Sequence, residues 1–184
     1  MSEQNLNNQI NIEQLITLAN QGVAEAEFLL GYCYEKGLGV EIDNTQAFFW
    51  YEKAATKGHA DAQHSVGVCY DIGKGVAQSY ENAFLWYKKS ALLGNAKAEY
   101  NLASCYEEGQ GTEQDLKKAF YWYKKSAQQG IVSAWCVLGY FYANGIGTQQ
   151  NLAEAIACFE IASKNGSEEA KKNLALLKKV DNDE

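Results

Sequence analysis

Two histidines, five cysteines and a surplus of carboxylates are the side chains from which a reactive or metal-binding site would have to be built. No cysteine stands at zinc-ligand spacing from His59 or His64. His59 falls at a break between two segments and reads as a turn residue, and His64 falls on a helix and reads as a surface residue. Cys33, Cys69 and Cys105 recur at one interval, with Phe141 in the next place, while Cys136 and Cys158 stand apart from that series. No nucleophile, base and orienting group converge in the pattern, so catalytic, cofactor-binding and metal-binding residues are all expected to be none.

The cysteine interval is 36 residues, and it runs through the whole chain. Gly22, Gly58, Gly94, Gly130 and Gly166 keep it, as do Gly37, Gly73, Gly109 and Gly145. Gly39, Gly75, Gly111 and Gly147 form a third series, and Gly31, Gly67 and Gly139 a fourth in which Ala103 fills the gap. All sixteen glycines are used, so none is left to build a phosphate-cradling loop. Tyr34, Tyr70, Tyr106 and Tyr142 recur, as do Ala47, Ala83, Ala119 and Ala155; Trp50, Trp86 and Trp122 recur until Cys158 breaks the series. Internal repeats of this length mark stacked units that share one core.

Each unit reads as two helices. The first, about Ala24 to Lys36, carries Ala26, Leu30, Gly31 and Tyr34 at three-or-four spacing and closes at Gly37. The second follows Asp43, Ser79, Asp115 or Asn151, all of which offer a side-chain oxygen to the free amides of a first turn. Four full repeats follow, 24–59, 60–95, 96–131 and 132–167, with a lone second-type helix over 12–21 and a lone first-type helix over 168–180. The expected organisation is one repeat domain over 11–180, with a frayed segment 1–10 and an acidic tail 181–184. Equivalent positions in stacked pairs lie about 8–10 Å or more apart. Disulfide partners need Cα atoms within about 7 Å. Cys33, Cys69 and Cys105 therefore read as small apolar fillers; a bridge between Cys136 and Cys158, on the two helices of the fourth repeat, stays open.

The charge balance narrows the partners. Sixteen Lys plus Arg against 23 Asp plus Glu leave a net −7, which repels phosphate backbones and argues against nucleic acid. No run approaches the roughly 20 apolar residues of a membrane span. The first ten residues lack the basic start and apolar core of a secretory signal. A cytoplasmic chain, monomeric when unbound, is expected if Met1 is the natural start, and a periplasmic one if a signal has been removed.

Residues 60–94 read Ala-Asp-Ala-Gln, then Val-Gly-Val-Cys-Tyr, Gly-Lys-Gly-Val and Ala-Phe-Leu-Trp-Tyr-Lys-Lys-Ser-Ala, ending in Gly94. That unit closely resembles the Sel-1-like repeat, and the resemblance covers residues 12 to about 180. It implies an all-α fold: a right-handed α-solenoid of antiparallel helix pairs, related to the tetratricopeptide repeat but longer and without its proline. It also implies a scaffold or regulator of protein assembly; some members neutralise a toxin in the cell that makes it. Cysteine-rich members have been linked to β-lactam binding, but this chain has no Ser-x-x-Lys, Lys-Thr-Gly or Ser-Asp-Asn motif. Those relatives also place a bridging cysteine pair inside each repeat, and the first three repeats here lack it. The expectation is a non-catalytic protein-interaction module, either a dedicated inhibitor such as an immunity protein or an adaptor in an envelope or signalling assembly, with a β-lactamase-like hydrolase as the least favoured alternative.

In a curved helix-pair array the first helices line the concave side, so their non-core positions are the candidate contact surface. Four series occupy it. They are Glu25, Asp61, Lys97 and Ser133; Phe28, His64, Tyr100 and Cys136; Tyr32, Val68, Ser104 and Tyr140; and Glu35, Asp71, Glu107 and Ala143. Carboxylates set among tyrosines suit a basic partner surface or a Lys/Arg-containing segment. Lys53, Lys57, Lys88, Lys89, Lys124 and Lys125 gather instead on the second helices.

Overall fold

The computed structural model describes residues 11–180, with side chains through Leu177. The expectations for 1–10 and 181–184 lie outside the described residues. Those residues form ten helices and no strand, arranged as the antiparallel pairs the repeat implies. They are α1 (Ile12–Asn20), α2 (Ala24–Lys36), α3 (Asn44–Thr56), α4 (Ala60–Ile72), α5 (Tyr80–Leu92), α6 (Ala96–Glu108), α7 (Leu116–Gln128), α8 (Val132–Asn144), α9 (Leu152–Lys164) and α10 (Glu168–Val180). The chain divides into two compact units, one ending at Asn95 and one beginning at Ala96. Within each unit every helix packs on the next in sequence.

The turns repeat as faithfully as the helices. The side chains of Asp43, Ser79, Asp115 and Asn151 each accept from amides in the first turn of the helix that follows. Their own amides donate to the carbonyls of Tyr34, Tyr70, Tyr106 and Tyr142 at 2.8–3.0 Å. Each second helix is therefore capped at its start and tied by the same residue to the last turn of the first.

In the N-terminal unit Leu15, Ala19, Ala26, Leu30, Cys33 and Trp50 form one buried cluster. Ala47, Tyr51, Ala54, Ala62, Val66 and Cys69 lie in the next. The fourth glycine series explains how closely the paired helices approach. A Cβ on Gly31 would lie 2.7 Å from the Tyr51 ring, and one on Gly67 2.6 Å from that of Tyr87. In the C-terminal unit Cys136, Ala155, Phe159, Ala162 and Ala170 are buried together, and Gly139 plays the same part against Phe159 at 2.7 Å.

All five cysteines are buried free thiols, Cys136 and Cys158 included. Burial, with the Glu35 carboxylate adding to it, pushes the Cys69 thiol up to about 11, so it stays protonated and packs as an apolar group.

A candidate partner-binding face on the first helices

In the N-terminal unit most of the expected contact residues are engaged by side chains outside that set. Glu35, in the last turn of α2, accepts from the Tyr51 hydroxyl through Oε2 at 2.7 Å. Its Oε1 holds Lys74 at 3.0 Å and Lys36 at 3.2 Å. Burial pushes this carboxyl up, but the bonds from Tyr51, Lys74 and Lys36 outweigh it and hold Glu35 below the usual glutamate range. Asp71 accepts from Tyr87 at 3.0 Å, and Asp61 from the Asn95 amide at 2.6 Å. Tyr32 lies under the Lys36 ammonium, 5.8 Å from its ring centre. Val68 is half-buried, and the His64 ring lies against Tyr87.

His59 does more than the turn role read from the sequence. Its Nδ1 accepts from the Ala62 amide and so caps α4, its Nε2 meets Glu25 at 2.9 Å, and its ring stacks on Phe28 at 4.7 Å. With Nδ1 as an acceptor, Nε2 carries the proton and donates to Glu25. One residue thereby joins Glu25, Phe28 and the start of α4.

The C-terminal unit has an opening on the face of its first helices. Tyr100, Glu107, Ser133, Cys136 and Tyr140 line a cleft of about 560 Å³ on α6 and α8. It is completed by the Asn165–Ser167 turn and by Glu169 and Asn173 of α10. Tyr123 donates to Glu107 Oε2 at 2.7 Å and its ring meets that of Tyr100 at 5.3 Å, so both walls rest on a buried tyrosine. Tyr140 is 53% exposed. Ser104 is not among the lining residues; its hydroxyl donates to Glu108 at 3.2 Å. No basic side chain lines the cleft. Burial raises the Tyr100 phenol above its usual range, and Glu107, Cys136, Glu169 and Glu108 add to it in smaller measure.

A second, more apolar cleft of about 440 Å³ adjoins the first, lined by Leu152, Ile156, Phe159, Leu176 and Leu177. Tyr140 and Asn173 belong to both. Glu169 and Asn173 were not singled out in the sequence, because 168–180 reads as a closing helix. The signal was present, since Glu169 extends the series Glu25, Asp61, Lys97 and Ser133 by one more step of 36.

The lysines of the second helices lie elsewhere and are largely engaged. Lys53, Lys89 and Lys125 sit over the rings of Trp50, Trp86 and Trp122 at 4.6, 3.9 and 4.8 Å. Lys57 and Lys125 also pair with Glu27 and Glu99, carboxylates buried on the first helices. Among the described residues no group of His, Cys, Asp and Glu is placed to hold a metal ion, and no helix is long and apolar enough to cross a membrane.

None of the curated proteins matches the chain. Solved structures do. A protective antigen of uropathogenic Escherichia coli is 34% identical over 92% of this chain and 36% of its own, with a TM-score of 0.89. A Sel1 repeat protein from Oxalobacter formigenes is 36% identical over 89% of this chain and 48% of its own, at 0.81. The chain thus spans between about a third and a half of the length of these two proteins. An immunity protein from Pseudomonas aeruginosa shares the fold at 20% identity, covering 86% of this chain and 59% of its own, with a TM-score of 0.54. The Sel1 repeat model matches residues 24–59, 60–95, 96–131 and 136–167, the interval on which the glycines, alanines and tyrosines recur. By those four repeats the chain belongs to the Sel1 repeat family, whose repeats mediate protein–protein interaction.

Proposed function

We propose that this protein binds a partner protein through the exposed face of its first helices, with the cleft of the C-terminal unit as the principal seat. The observation that carries the reading is an opening of about 560 Å³ walled by Tyr100, Tyr140 and Glu107 and free of basic lining residues. Aromatic side chains held in place by a rigid helical frame make strong anchors, because little freedom is lost when a partner covers them. The adjoining apolar cleft extends the same surface, so a segment crossing Tyr140 would meet carboxylates on one side and leucines on the other.

A photo-crosslinking residue at Tyr140 tests this directly, with Tyr121, an exposed tyrosine on a second helix, as the control. In the native cell, capture of one discrete protein from position 140 and none from 121 supports the reading. Equal capture from both positions overturns it.

Within that role we favour a dedicated inhibitor of the immunity kind. The Pseudomonas aeruginosa immunity protein supports this only so far as the fold goes. The test is whether expression of this chain rescues growth of cells that carry the captured partner. No rescue, together with several unrelated partners, would favour an adaptor instead.

A further inference from the structure

We propose that the cleft between α6, α8 and α10 seats a single lysine or arginine side chain of the bound partner, with Glu107 Oε1 as its carboxylate oxygen. The proposal rests on reading this face as a binding surface and adds the chemistry of the group it accepts.

Comparison of the two units carries the argument. Glu35 and Glu107 occupy the same repeat position two repeats apart, and each gives Oε2 to a tyrosine hydroxyl at 2.7 Å. In the N-terminal unit the other oxygen, Oε1, binds Lys74 at 3.0 Å and Lys36 at 3.2 Å. The residues that stand two repeats after these lysines are Ile146 and Glu108. Both cations are therefore replaced, one by an apolar side chain and one by a second carboxylate. Among the described residues no lysine forms an ion pair with Glu107.

The surroundings reinforce the deficit. His59, which stacks on Phe28 in the N-terminal unit, is replaced two repeats later by Ile131, and the corresponding ring, Tyr100, lines open space. Glu169 brings a second carboxylate to the same cleft. A half-buried carboxylate gains most from a cation that arrives already carrying apolar stem atoms, which the rings of Tyr100 and Tyr140 can flank. A lysine or arginine side chain has that form, and it would give Glu107 what Lys74 gives Glu35.

The test is an amide-resolved NMR titration of the full chain with three capped tripeptides: acetyl-Gly-Lys-Gly-amide, acetyl-Gly-Arg-Gly-amide and, as the uncharged control, acetyl-Gly-norleucine-Gly-amide. The two cationic peptides are expected to move the amides of Glu107, Cys136, Tyr140 and Glu169, and the norleucine peptide to leave them in place. Glu107→Gln, which keeps an acceptor for Tyr123, should weaken the cationic peptides roughly threefold or more. Ile146→Lys, which supplies the missing cation from within, should abolish their effect while the rest of the spectrum stays folded. Equal shifts with norleucine, or undiminished binding by Ile146→Lys, would overturn the proposal. Either result would leave the wider reading standing so long as position 140 still crosslinks a partner. Loss of that crosslink with the peptide shifts intact would instead confine the cleft to a lone cation site.

Discussion

Tyr123 donates its hydroxyl proton to Glu107 Oε2 at 2.7 Å, and the same bond joins Tyr51 to Glu35 at 2.7 Å and Tyr87 to Asp71 at 3.0 Å. The donor rises from the middle of a second helix and the acceptor from the last turn of the first, so one hydroxyl locks each pair in register. These carboxylates therefore have a structural task before any partner arrives. Tyr123→Phe keeps the ring and removes the bond, which should cost about 1–2 kcal/mol. Urea unfolding should show a lower midpoint with an unchanged slope. An unchanged midpoint would mean that water serves Glu107 as well as Tyr123 does.

Acid should weaken the N-terminal unit through Glu35. Tyr51, Lys74 and Lys36 hold its folded pKa below the ordinary 4.5, against the opposing push of burial. A carboxyl depressed on folding contributes stability that is present in full above its unfolded value and lost as pH falls through the folded one. Stability should thus fall as pH drops from about 5 to about 3. Lys74→Met, which removes one of the bonds responsible, should fall less steeply over that window. Identical slopes for the two proteins would assign the acid sensitivity to other groups.

Gly75 and Gly58 both have positive φ, at 74° and 87°, yet their surroundings differ. A Cβ on Gly75 would meet the Asn44 carbonyl oxygen at 2.0 Å, whereas Gly58 has nothing within 4 Å. Gly58→Ala should therefore cost only the conformational strain, about 1 kcal/mol. Gly75→Ala must also push the loop off the first turn of α3 and should cost about 2–4 kcal/mol. Thermal melts of the two variants side by side decide the matter, and equal losses would show that the loop yields.

Lys57 bridges the Gly22 carbonyl and Glu27 Oε1, each at 2.7 Å. The Glu27 side chain is fully buried, while that of Lys57 is 39% exposed. Lys57→Met leaves a buried carboxylate without its cation and should cost about 2–4 kcal/mol. The double variant Lys57→Met with Glu27→Gln should recover part of that loss. A double variant as unstable as the single one would place the damage in packing instead of charge.

Much of this fold could be read from the chain itself. Asp43, Ser79, Asp115 and Asn151 announced where four helices begin, because a capping oxygen acts within three residues of its own position. Gly37, Gly73 and Gly145 likewise marked helix ends, where the structure places them in the left-handed conformation. The third glycine series was visible but its reason was not, since Asn44 lies 31 positions before the Gly75 it crowds.

The candidate site divides along the same line. Tyr100, Glu107 and Tyr140 were legible as non-core positions of first helices, because the 36-residue step assigns each residue type to a face. Glu25, Glu35 and Asp71 were equally legible as carboxylates, yet they are engaged by His59, Lys74 and Tyr87. Whether a carboxylate is neutralised or left open depends on a partner 16 to 39 residues away, brought close only when helices pair and repeats stack. The step of 36 by itself determined the helices, their order and most of their buried faces, since Ala26, Ala62, Ala98, Ala134 and Ala170, and Tyr51, Tyr87, Tyr123 and Phe159, are buried at equivalent positions. Tertiary packing alone decided that Lys74 reaches Glu35 across 39 residues while Glu107 faces an open cleft, because ion pairing acts across space between side chains that local sequence does not bring together.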